Sequence, residues 1–324
     1  MRIVFFGSSE FAIPTFDSIR GDGHDIPLVV SQPDKPQGRG KKLTPTPLKA
    51  VAIEASIPVI TPENVNAPEI VEQIRECKAD LGYVVAFGQF LARDLRESVF
   101  PAGMINLHGS VLPALRGAAP IQWSVINGTG EAGVTTFRIV KEMDAGPILI
   151  TRRTAINEDE TSSDLHDRLA RIGCDAVRET IKLLEADPNT PGEPQDDSSA
   201  TIAPKLQKTD GHIHFDAPAR ALSSRINGLW SWPGAHCRFV SADGKRDERV
   251  TLARVRPYEG RSQAAANDDD LGRINDMMAV QARDGAIEIL EIKPAGKNLM
   301  AWPDFVNGRR VQTGDRFLPV EPNE

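Results

Sequence analysis

The chain has 324 residues, 40% hydrophobic and 26% charged, with a net charge of −7. That length passes the roughly 250–300 residues at which a single core stops growing, so more than one domain is expected. Composition excludes a disordered or collagen-like chain, and no apolar run approaches the ~18 residues that a membrane-spanning helix needs.

Cys77, Cys174 and Cys237 are far apart. They offer neither a disulfide framework nor a zinc spacing, and a reducing cytoplasm is expected. Met1-Arg2 runs straight into a strand pattern, so no signal peptide is expected. The acidic excess lies before Thr201, and the remainder is nearly neutral rather than basic like a nucleic-acid-binding domain.

Arg2 to Gly7 reads as a buried parallel strand ending at a glycine, with Ser8 or Ser9 free to cap a helix starting near Glu10. Gly7-Ser8-Ser9-Glu10-Phe11-Ala12 lacks the later glycines of the dinucleotide fingerprint, so no NAD or FAD is read from it. Ile26 to Ser31 is a second strand. Residues 32–46 form a long loop with no expected secondary structure, and such loops are usually functional or disordered. Lys35, Arg39, Lys41 and Lys42 stand there against Asp34 alone, and Gly38 and Gly40 flank Arg39. The stretch reads either as a solvated loop or as a mobile arm presenting cations.

Helices are expected at 47–55 and 68–78, a short strand at 58–60 and a fourth buried strand at 81–88. Met104 to Leu107 ends another buried strand. A helix at 118–126 follows, then strands at 133–140 and 148–156, antiparallel at one edge. Thr161 to Ala186 is a long amphipathic helix with Leu165, Leu169, Ile172, Val177, Ile181 and Leu184 inward. The fold class is therefore α/β, with a Rossmann-like, mostly parallel sheet over residues 1–187. Residues 188–204, rich in Pro and Asp, read as a linker. Residues 205–324 hold short strands near Ile213 and at 235–240, 249–255, 276–282 and 286–292, with helices at 219–226 and 302–307. That pattern suggests a small OB-like β-barrel. His212 and His214 have a chelating spacing without a third ligand nearby and read as a polar strand rim. Asp268-Asp269-Asp270 reads as a solvated turn.

One stretch organises the rest. Asn106 and His108 lie two apart at a strand end and so point to one side. The Gly/Pro-rich segment after His108 then rules out helix or regular sheet there. Polar groups at the C-terminal end of a parallel strand are where such folds place active sites. Asp144, in the tight loop Glu142 to Pro147, would lie near them if their strands are neighbours. Ser110 has no nucleophile-elbow context, and one His with one distant Asp makes too few metal ligands. Each residue taken singly has an ordinary explanation: Asn106 as a turn cap, His108 as a satisfied core histidine, Asp144 as a turn residue. Together, lacking a nucleophile, they suit direct transfer between two bound substrates, with Asn106 and His108 stabilising an oxyanion and Asp144 orienting His108 or moving a proton.

The segments Asn106-x-His108-x-Ser110-Val111-Leu112-Pro113, Arg116-Gly117-Ala118-Ala119-Pro120-Ile121-Gln122, Gly133-Val134-Thr135 and Met143-Asp144-Ala145-Gly146-Pro147 resemble the folate-dependent N-formyltransferases. The resemblance carries the family's catalytic Asn, His and Asp onto Asn106, His108 and Asp144, and its folate contacts onto Ser110, Val111, Leu112 and Pro113. It implies 10-formyltetrahydrofolate as co-substrate and no metal. Gln32-Pro33-Asp34, Gly38-Arg39-Gly40-Lys41-Lys42, Trp232-Pro233-Gly234, Ile292 to Met300 and Phe305 to Arg310 extend the similarity to the members that formylate methionyl-tRNA. That implies initiator methionyl-tRNA as partner, contacted by Arg39, Lys41 and Lys42, and a cytoplasmic monomer without a membrane partner. This chain has Gly109 where those enzymes usually have Ala, and Val111 where they have Leu.

Overall fold

A computed structural model describes residues 1–37, 40, 42–260 and 264–320. The apolar runs fold as parallel strands because both of their faces are covered, which continuous Ile/Val/Phe patterning requires. In chain order the first elements are β1 (Arg2–Gly7), α1 (Ile13–Gly21), β2 (Asp25–Val30), β3 (Lys35–Gln37), β4 (Lys42–Thr44), α2 (Pro47–Glu54), β5 (Val59–Ile60) and α3 (Pro68–Glu76). Then come β6 (Leu81–Val85), α4 (Arg93–Ser98), β7 (Met104–His108), β8 (Arg116–Gly117), α5 (Pro120–Ile126), β9 (Glu131–Arg138), β10 (Ile148–Ala155), α6 (Ser162–Ala186) and β11 (Ile202–Ala203).

Seven strands form one sheet in the order β10-β9-β7-β6-β1-β2-β5. The pairs β7/β6, β6/β1, β1/β2 and β2/β5 are parallel, whereas β9 runs antiparallel to β7. The strand order thus departs from β1 in both directions, the Rossmann-like arrangement that opens a crevice beyond the carboxyl ends of the central strands. Phe5, Phe6, Tyr83, Val85 and Ile105 are fully buried in it.

Several sequence expectations change here. The helix after β1 begins as a 3-10 turn, Glu10–Ala12, and neither serine caps it by its side chain. Ser8 instead donates to the Phe87 carbonyl and accepts from the Gln32 amide, tying together the tips of three strands. The loop at 32–46 is not structureless: β3 and β4 pair antiparallel, Lys35 opposite Thr44. Asp34 is taken by Lys49 at 2.6 Å. α4, β8 and the β8/β11 pair were not expected.

The chain divides into two compact units. The first comprises Met1–Pro120, Gly133–Thr154 and His166–Ala203; the second comprises Ile121–Ala132, Ala155–Leu165 and the chain from Pro204 onward. The second holds α7 (Ala219–Leu229), β12 (Ala235–Val240), β13 (Asp247–Pro257), β14 (Val280–Gln281), β15 (Ala286–Pro294), β16 (Met300–Ala301), α8 (Trp302–Arg309) and β17 (Arg316–Pro319). Its antiparallel sheet runs β14-β15-β13-β12-β17, with β16 on β15, and is barrel-like. Phe239, Phe305, Phe317 and Trp302 pack ring to ring inside. The strand expected at 276–282 shrinks to Val280–Gln281, because Met278 turns the chain with φ +58°. Near Ile213 there is one isolated bridge, His212 to His236, in place of a strand.

Candidate active site

Asn106 and His108 end β7, where the parallel neighbour β6 stops at Val85. The antiparallel neighbour β9 continues past them, with Phe137 opposite Asn106 and Thr135 opposite His108. His108 is buried at 6% exposure and meets the Phe137 ring edge-on. Its Nε2 lies 2.9 Å from the Leu115 carbonyl. A carbonyl can only accept, so Nε2 carries the hydrogen. The other ring nitrogen, Nδ1, faces Asp144 Oδ2 at 3.8 Å, beyond hydrogen-bond length but within strong electrostatic reach. The Asn106 side chain is half-buried and makes no hydrogen bond among the described residues.

The Gly/Pro segment after His108 is held by specific bonds. Ser110, 1% exposed, donates its hydroxyl to the Ala114 carbonyl at 2.6 Å. Thr135 donates to the Ser110 carbonyl and accepts from the Leu112 amide, continuing the ladder one step past the strand end. Leu112–Pro113 is a cis peptide and Leu115 has φ +60°. Leu112 is buried, while Val111 and Pro113 remain half-exposed.

Asp144 reaches the site from the loop between β9 and β10, with φ +53°. Its Oδ2 accepts from the Gly117 amide at 2.8 Å. Gly117 has φ +121°, and a Cβ there would meet the Ala203 carbonyl at 2.8 Å, so this amide is aimed by a conformation only glycine adopts readily. Gly146 closes the loop against β9, where a Cβ would sit 1.7 Å from the Arg138 carbonyl. Arg138 donates to the carbonyls of Ala102, Pro188 and Thr190; its burial lowers its pKa, against the pull of Asp187.

The structure therefore brings His108 and Asp144 together and puts Asn106 on the same strand. Lys42 is exposed at the start of β4; Arg39 and Lys41 lie outside the described residues. Sequence reasoning passed over Thr135 as a side chain, the Leu115 carbonyl, Thr201 and Gln195. Thr201 accepts from the Leu115 amide through its hydroxyl and from the Arg116 amide through its carbonyl. Register against His108 could have pointed to Thr135. No local pattern marks Thr201 or Gln195, which stand about 80 residues away from the loop they hold.

A strand-end Asn and His stand on β7, and an Asp from the loop after β9 approaches the His. Residues 1–181 match the formyl transferase family and residues 205–310 match the formyl transferase C-terminal domain; the chain belongs to this family. Within it, the chain is 39% identical to the methionyl-tRNA formyltransferase of Solibacter usitatus, over 98% of each chain. Among solved structures, the fold is similar to WlaRD, a sugar 3N-formyl transferase crystallised with dTDP and 5-N-formyl-THF. The TM-score is 0.64 and the identity 16%, over 92% of this chain and 99% of that one. HypX from Aquifex aeolicus, in complex with tetrahydrofolic acid, gives a TM-score of 0.60 at 15% identity. That match covers 94% of this chain but 47% of HypX, so the chain spans about half of HypX's length. Among the described residues no helix is long and apolar enough to cross a membrane.

Proposed function

We propose that this enzyme transfers the formyl group of 10-formyltetrahydrofolate to the α-amino group of methionine carried by initiator tRNA. The observation that carries the reading is the approach of Asp144 to His108, beside an uncommitted Asn106 amide on the same strand. Full-length similarity to a methionyl-tRNA formyltransferase supports the acceptor. The folates named in the WlaRD and HypX structures support the donor.

In this mechanism the neutral amine attacks the formyl carbon. A free α-amine titrates near ~7.7–8.0, and the adjacent ester lowers that, so the nucleophile is available at neutral pH. As the C–N bond forms, the carbonyl π pair moves to oxygen. The Asn106 amide donates to that oxyanion, and His108 donates from Nδ1 when protonated, since its Nε2–H is committed to Leu115. Asp144 accepts the proton lost by the attacking nitrogen and returns it to the folate nitrogen as the old C–N bond breaks. The Ser110 hydroxyl is turned into its own loop, so the folate contacts of this segment come from its backbone and from Val111 and Pro113. Arg39, Lys41 and Lys42 grip acceptor-arm phosphates, which position an RNA without reading its sequence.

The test is formyl transfer from 10-formyltetrahydrofolate to initiator methionyl-tRNA, elongator methionyl-tRNA and an amino-sugar nucleotide, side by side. Turnover with the initiator tRNA is expected. Transfer to the sugar alone, or formate release with no amine present, refutes the reading.

A further inference from the structure

We propose that Gln195 is a positioning residue for formyl transfer: its side-chain amide locks the Arg116 turn to the Asp144 turn and so sets the Asp144 carboxylate against His108. The proposal rests on the roles assigned above to His108 and Asp144. Gln195 lies in the Pro- and Asp-rich stretch after α6, outside every motif that marks the site.

An amide side chain offers two donated hydrogens and two accepting lone pairs. All four are used here, and they are divided between two loops. Oε1 accepts from Arg116 Nε at 3.1 Å and from Arg116 Nη2 at 2.8 Å. Nε2 donates to the Asp144 carbonyl and to the Gly146 carbonyl, each at 2.8 Å. One side chain thus fixes the backbone of Asp144 itself to the guanidinium of Arg116.

What makes this matter to chemistry is the neighbourhood of Arg116. Leu115, one residue before, supplies the carbonyl that holds His108 Nε2. Gly117, one residue after, supplies the amide that holds Asp144 Oδ2. Three consecutive residues therefore carry His108, Gln195 and Asp144 in turn. Any shift of the Arg116 turn against the Asp144 loop changes both contacts of the pair at once. Arg116 is itself pinned from the same stretch: its side chain reaches Asp197 at 2.7 Å and its amide reaches the Thr201 carbonyl. The stretch is anchored beside the loop by the paired backbone of Glu193 and Ile148. A misplacement of ~1 Å in a reacting group is enough to lose about 10²-fold in rate.

Gln195→Glu separates the two arms. The carboxylate keeps, and strengthens, the bonds to Arg116. It cannot donate, so two attractions to the Asp144 and Gly146 carbonyls become repulsions. Steady-state kinetics should show kcat down by about 10–100-fold with both KM values within about twofold. In the Asp144→Asn background the same substitution should cost less than about threefold, because residues acting as a unit are not additive. Thermal unfolding is recorded for each variant, and Gln195→Ala replaces Gln195→Glu if the latter does not fold. A kcat within threefold of the parent overturns the proposal. So does a loss that multiplies in full on the Asp144→Asn background, which would make Gln195 a scaffold residue only. Near-normal turnover by Asp144→Asn alone would instead overturn the roles given to the pair, a result distinct from either.

Discussion

Replacing Asp144 by Asn removes a charge and a proton acceptor and leaves the side chain's shape. The Asn carbonyl oxygen can still accept from the Gly117 amide, so the loop keeps its anchor. What goes is the proposed proton relay and the field on His108. The two side chains are 12% and 7% exposed, which leaves little screening between them. Opposite unit charges 3.8 Å apart in a site of effective dielectric near 20 attract by about 4 kcal/mol. If the transition state carries an imidazolium, that attraction is lost there, and each ~1.4 kcal/mol is tenfold in rate. The expected fall is therefore at least about 10²–10³-fold in the single-turnover rate constant at saturating donor and acceptor, with both KM values nearly unchanged. Quenched-flow measurement with labelled formyl donor reads it directly. A folded Asp144→Asn enzyme that retains more than about a tenth of the parental rate would refute the assignment of Asp144 to His108.

Asn106→Ala should cost about 10²–10³ in turnover, the usual price of one oxyanion donor, while calorimetry finds folate affinity preserved. Arg39→Ala combined with Lys42→Ala should raise the KM for tRNA and flatten the salt dependence of that step; an unchanged KM and salt slope would leave residues 32–46 the solvated charged stretch of the plainer reading. Gly146→Ala should destabilise by about 1–3 kcal/mol or more in urea unfolding, since its Cβ would collide with the fixed Arg138 carbonyl. Burial alone would raise the Asp164 carboxyl, but hydrogen bonds from the Thr161 hydroxyl and amide and the Arg254 guanidinium outweigh it and hold it below its ordinary value. A lowered folded pKa means stability that is present above the unfolded pKa and lost as pH falls through the folded one. Asp164→Asn should thus cost about 0.3–1.5 kcal/mol near pH 7. The gap between variant and parent should narrow below about pH 4, as thermal unfolding across pH would show.

Elements whose identity depends on their own residues were legible in the sequence. β1, β6 and β7 declare themselves by apolar runs, and α6 by its inward stripe. Its start is also local: Thr161 accepts from the Asp164 amide while Asp164 accepts from Thr161, a reciprocal cap within four consecutive residues. The approach of Asp144 to His108 was legible because β7 and β9, the strands that carry them to it, are neighbours. What escaped was pairing over distance. β3 and β4 look like a basic loop until their backbones meet, and β8 is two residues long and exists only because β11 lies beside it. Gln195 carries no local signal at all, since its meaning is set by carbonyls at 144 and 146 and a guanidinium at 116. Met278 shortened an expected strand by adopting a positive φ that its residue type does not announce.

Thr135 has a consequence for how the fold can vary. Side chains alternate along a strand, so sliding β9 by one residue against β7 to bring Val134 opposite His108 would put an apolar group in that place and turn the Thr135 hydroxyl away. The loop beyond β7 would lose its first two footholds in the same step. An insertion or deletion that makes this shift in β9 is therefore felt at residues 110 and 112 without damping, whereas a longer turn elsewhere leaves them untouched. The hydroxyl works as a detent: it converts the spacing of a structural strand into the shape of the loop that follows His108.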